Sequence, residues 1–154
     1  MTKNPVSFEE ALKQFDRGAN EQAVLLPQQE RQEVVKRFPL DEWPTMPLSR
    51  YALGQGNKQE SFCWWLEFGT PHVGSIKGGS ARKHIIYKQG DREWWFDRQT
   101  YKAEQEAWEA VRASFVDAFA KAQKGQWDAV DQLEQIGWGP ALRTKTLYCY
   151  CSVA

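Results

Sequence analysis

The sequence has no long apolar run. Nothing in its 154 residues approaches the roughly 20 that a membrane span needs, and the opening MTKNPVSFEE carries no apolar leader core. The cytoplasm is therefore the expected location, with no membrane partner. Net charge is lacking too: 20 Lys and Arg face 20 Asp and Glu, so the total steers the chain toward neither nucleic acid nor membrane. Cysteine is scarce. Cys63, Cys149 and Cys151 are odd in number and lack CxxC spacing, so they read as reduced thiols, and with His72 and His84 they match no standard zinc pattern. Also missing are GxxxxGK[ST], GxSxG, HExxH and HxE with PCxxC, so the expectation is a non-catalytic chain with no cofactor and no metal.

What is abundant is aromatic. Eight Trp, eight Phe and five Tyr supply a core of large rings, several with polar tips. A chain of about this length buries enough surface for one self-sufficient domain, so 1–154 is expected to be a single α+β domain. Ser7 with Glu10 forms a capping-box pattern ahead of helically spaced Phe8, Ala11, Leu12 and Phe15, which predicts a helix over 7–16. A second is predicted over 27–37 with Pro27 in its first turn. SFCWWLEF (61–68) is aromatic-rich, short and bounded by turn formers, so it reads as a strand. ARKHIIYK (81–88) and REWWFD (92–97) read as a hairpin and RTKTLYCYC (143–151) as a last strand. Trp108, Val111, Phe115 and Phe119 predict a long helix over 103–124, followed by a shorter one. The expected architecture is a small antiparallel sheet of about four strands, from 45–102 and 143–151, packed with a helical 1–44 segment and a helical hairpin at 103–137.

Charge is uneven along this plan. Residues 71–102 hold seven basic side chains against three acidic ones, whereas 103–136 hold three against seven. Within the basic stretch, Ser75, Lys77, Gly78, Gly79, Ser80, Arg82 and Lys83 combine exposed amides, hydroxyls and cations, a chemistry suited to phosphate or another anion. The competing reading is a loop whose glycines serve the backbone alone. Trp64/Trp65 and Trp94/Trp95, read on strands, would place one ring of each pair on either face, and with Tyr87 they are candidates for stacking on a base. They could equally be core.

YALG (51–54), ESFCWWLEF (60–68), GSIKGGSARKHIIY (74–87), the Trp108 helix and KTLYCY (145–150) form an ordered set. This set resembles the N-terminal module ahead of the AAA+ motor in McrB-like proteins, the GTPase subunits of modification-dependent restriction systems. The resemblance implies a recognition module that reads DNA, and carries over Trp64, Trp65, Gly74, Ser75, Gly78, Gly79, Ser80, Lys83 and Tyr87. The chain has no Walker A motif, so it is expected to be a stand-alone relative, to work beside a separately encoded motor, or to share the fold with another use. Three expectations follow, in order: a nucleic-acid-recognition module of a defence or DNA-processing system, a protein-interaction adaptor, and a small phosphate- or nucleotide-binding enzyme.

Overall fold

Helical signals win along almost the whole chain. The computed structural model describes residues 7–16, 18–56 and 58–151; the first six residues, where the leader was sought, lie outside that range. The helices are α1 (Phe8–Gln14), α2 (Glu21–Arg37), α3 (Leu48–Tyr51), α4 (Phe62–Trp64), α5 (Glu104–Gln123), α6 (Trp127–Asp131) and α7 (Pro140–Tyr150). Short 3-10 segments occupy Leu40–Thr45, Lys58–Glu60, Ala81–His84 and Glu134–Ile136, and α4 runs on into a π-helical turn, Trp65–Gly69. Two strands, β1 (Tyr87–Lys88) and β2 (Trp94–Trp95), pair antiparallel with Tyr87 opposite Trp95 and Lys88 opposite Trp94. No helix among the described residues is long and apolar enough to cross a membrane.

The expected α+β architecture with a sheet of about four strands is thus wrong; among the described residues the fold is helix-rich with one two-stranded ribbon. The 61–68 segment fails as a strand because its buried residues, Phe62, Cys63, Leu66 and Glu67, recur with helical spacing. Ser61 starts that helix by accepting the Trp64 amide at 3.2 Å. Residues 143–151 fail for the same reason: Leu142, Lys145, Thr146 and Cys149 are buried at i, i+3, i+4 and i+7 of α7, and the alternation of LYCY is confined to its last turn. Of 81–88, only the last two residues are extended. The premise that adjacent tryptophans must face opposite sides of a sheet therefore lapses for Trp64 and Trp65.

Other expectations fare better. The capping box is complete, with the Glu10 amide donating to Ser7 Oγ and the Ser7 amide to Glu10 Oε2, both at 3.2 Å. The long helix spans Glu104–Gln123 as its periodicity demands, burying Trp108, Val111, Phe115 and Phe119. The second helix begins six residues before its expected start, which leaves Pro27 inside α2.

Trp43 anchors the core from a 3-10 segment in the proline-bearing connection. Its ring lies 4.9–6.4 Å from those of Tyr51, Phe62, Phe115, Phe119 and Tyr150, mostly edge to face. Tyr51 stacks on Trp108 at 4.4 Å, and Trp108 Nε1 donates to Met46 O at 2.8 Å. This cluster ties α3, α4, α5 and α7 together and fixes the segments that carry the polar groups described next.

Candidate functional site

Two charged groups sit where α4 ends. The π turn brings Glu67 inward, where it accepts from Lys83 Nζ and faces His84 Nε2, each at 2.6 Å. Burial works to raise the Glu67 carboxyl, but the Lys83 and His84 contacts outweigh it and the net direction is down from the ordinary value. His84 is fully buried, and desolvation holds its imidazole below the usual histidine range despite Glu67. The neutral ring donates through Nε2 to the carboxylate, and Nδ1 has no partner among the described residues. His84 thus meets Glu67, and His72 lies elsewhere, against Glu30 at 2.6 Å.

Lys145 is the second such group. Its Nζ donates to the carbonyls of Leu66, Thr70 and Gly74 at 2.5, 2.9 and 2.6 Å, so α7 pins the π turn and the following loop through one ammonium. Burial pulls its pKa down to about 8.

Past His84 the backbone makes an unusual turn. Ile85 has φ 71° and ψ −46°, and the Ile86 amide donates to His84 O at 2.7 Å. This is a γ-turn of the rare positive-φ hand, and a β-branched residue at its centre costs on the order of 1–3 kcal/mol. Tyr51 Oη donates to the same carbonyl at 2.7 Å and holds the turn. The GWGP loop closes over it: a Cβ on Gly139 would lie 2.2 Å from Lys83 O, so only glycine permits the approach.

The strained turn borders a cleft of about 350 Å³ whose walls include Arg82, Ile85, Trp95, Tyr101, Glu134 and Trp138. Arg82 places its guanidinium 5.4 Å from the Trp95 ring centre, and Trp95 stacks on Tyr87 at 5.5 Å. Arg82 has no carboxylate partner among the described residues, and Trp138 is 67% exposed. The rim carries acidic groups as well, Asp97 and Glu134. The cleft can take a flat, apolar-faced ligand with polar edges and an anionic group near Arg82.

The candidate residues do not all gather there. Gly78 and Gly79 have φ 81° and 68° with open space where a Cβ would stand, so their glycine is demanded by the backbone and not by a close neighbour. Ser75 Oγ accepts the Lys77 amide and Ser80 Oγ the Arg82 amide, so both hydroxyls shape the loop. Lys77 extends toward Phe68, 5.8 Å from its ring centre. Lys83 turns inward to Glu67 and to Gly78 O, at 2.7 Å, and is withdrawn from any ligand. Trp64 and Trp65 pack edge to face at 5.5 Å; Arg37 covers Trp65 at 4.1 Å, and neither ring lines the cleft. Trp94 packs against the core and Tyr87 is buried. Of the named residues, Arg82 and Trp95 alone line the cleft.

Sequence reasoning missed Glu67, Lys145, Tyr101 and Trp138. An acid inside SFCWWLEF and a lysine on the apolar stripe of α7 were the available signals for the first two: each is a charge at a core position, which demands a partner. Comparison with protein-family models, with curated proteins and with solved structures finds no match to this chain.

Proposed function

We propose that the chain is a non-catalytic nucleic-acid-recognition module, with an unstacked base or strand end held in the Arg82–Trp95–Trp138 cleft and the Lys77–Gly79 loop touching the backbone. The observation that carries this reading is Arg82 over the Trp95 ring beside the exposed Trp138, a cation and an exposed aromatic ring at one opening. Ring stacking on a base is worth about 1–3 kcal/mol and tolerates sequence. The basic 71–102 segment supplies local positive charge that the neutral total hides. The reading places the module in a defence or DNA-processing system, beside a separately encoded AAA+ motor, as its resemblance to McrB-like modules implies.

The test is titration of single- and double-stranded DNA, with and without modified bases, at low and moderate salt. Trp138→Ala is expected to weaken binding by about 5- to 150-fold, the loss of one stacked base. Arg82→Ala is expected to lower the salt slope by about one counterion. If the wild-type protein binds no DNA at low salt, the proposal fails.

A further inference from the structure

The cleft beside the γ-turn has a polar edge as well as an aromatic face. Its 3-10 segment, Glu134–Ile136, sets Glu134 and Gln135 side by side on the cleft wall, and both are exposed. Gln135 is held in place: the buried Ser114 of α5 donates from Oγ to Gln135 Oε1 at 3.1 Å. That contact occupies the amide oxygen and leaves Nε2 as the donor the side chain offers. The Glu134 carboxylate has no hydrogen-bond or ion-pair partner among the described residues. The other carboxylate of the cleft, Asp97, already accepts the amides of Gln99 and Thr100 at 3.0 and 3.4 Å. Neighbouring residues thus present one free two-oxygen acceptor and one positioned amide donor.

A carboxylate is best satisfied by two adjacent N–H groups, and a donor beside it calls for an acceptor beside them. Among the common bases guanine alone carries that order on its Watson–Crick edge: the 2-amino group and N1–H are adjacent donors, and O6 follows as acceptor. Adenine, cytosine, thymine and uracil each put a single donor group on that edge. The 67% exposed Trp138 ring gives the same base a stacking face, and Arg82, on the same cleft, supplies a cation for its phosphate. A volume of about 350 Å³ lies within the range of ligand sites, roughly 300–1,000 Å³.

Resting on the nucleic-acid reading, we propose that the cleft is a guanine site: Glu134 accepts from N1–H and the 2-amino group, Gln135 Nε2 donates to O6, and Trp138 stacks on the ring. Ser114 is a positioning residue, acting through Gln135. Stacking alone takes any base, and the edge contacts add the choice. The guanine must be unpaired, because pairing with cytosine covers the same edge.

The test is fluorescence anisotropy with short thymine strands that carry one central guanine, hypoxanthine, adenine, cytosine or thymine, and a separate titration of guanosine monophosphate, for the wild type, Glu134→Ala and Gln135→Ala. The guanine strand is expected to bind about 5- to 150-fold tighter than the adenine, cytosine and thymine strands, the discrimination of one two-bond base contact. Hypoxanthine, which is guanine without its 2-amino group, is expected to lose about tenfold. Glu134→Ala is expected to level guanine with the other bases and to leave the all-thymine strand bound as before, which also shows that the variant is folded. Gln135→Ala is expected to cost the guanine strand about 2- to 10-fold. Strands bound equally whatever the central base, or guanine and hypoxanthine bound alike, would overturn the guanine site and leave the nucleic-acid reading standing. Guanosine monophosphate bound with no strand bound would do the reverse. Binding of neither would overturn both.

Discussion

Lys145 carries an ammonium into a site that is 6% exposed, and its three carbonyl acceptors are what make that tolerable. Removing the charge takes a donor from the carbonyls of Leu66, Thr70 and Gly74, of which Leu66 O still accepts from Thr70 Oγ1 at 3.2 Å. Lys145→Met is therefore expected to destabilise the fold by about 2–4 kcal/mol, measured by urea unfolding. The pH dependence follows from linkage. With a folded pKa of about 8 against an ordinary value of 10.5, the unfolded chain holds this proton between those values, so Lys145 contributes a rise in stability with pH across that window, opposing the fall contributed by the Cys63, Cys149 and Cys151 thiols, whose pKa values burial raises. The Met variant is expected to lose that rise; an unchanged slope would show that another group produces it. At the same scale, the glycine loop was legible as a loop, with Gly78 and Gly79 at positive φ. The fate of Lys83 was not, because its inward turn depends on Glu67, a residue 16 positions earlier in the chain.

Among elements, the sequence was most readable where one pattern ran long enough to exclude the alternative. The four apolar rings and branches of α5 span three turns and admit only a helix. Residues 61–68 are too short to discriminate by length, and tryptophan's preference for strands pointed the wrong way; the Ser61 cap and the spacing of Phe62 and Leu66 carried the correct signal. In α7, the closing LYCY imitates a strand while Leu142, Lys145 and Cys149 set the helical face. Pro27 gives the element-scale prediction. It sits at the seventh residue of α2, where it has no amide to donate to the preceding turn. Pro27→Ala is expected to stabilise the protein by about 1–2 kcal/mol, net of the freedom it returns to the unfolded chain. Slower amide exchange across 21–28 would accompany the gain, and no change in either quantity would mean that this part of α2 is not helical in solution.

For the molecule as a whole, acid is the expected weak side. His84 is held below 6.5 and Glu67 below 4.5, so in both cases the unfolded state takes up protons first as pH falls. Stability is expected to decline below about pH 6.5 and further below about 4.5. Glu67→Gln is expected to flatten the lower part of the profile in thermal melts; a profile insensitive to that change would remove the pair from the explanation. The motif-bearing segments meet here: Tyr51, Glu67, Lys83, His84 and Lys145 come from four separate stretches of the sequence and form contacts that fix the γ-turn and the loop beside it. Much of the distinctive pattern is thus explained by a charged interior, and the cleft residues Arg82 and Trp95 are a small part of it. Lys145 Nζ is enclosed among the carbonyl oxygens of Leu66, Thr70 and Gly74. Its amine meets an acylating reagent only when α7 parts from the π turn. The rate at which Lys145 is labelled is therefore a direct clock for the opening of that corner of the molecule.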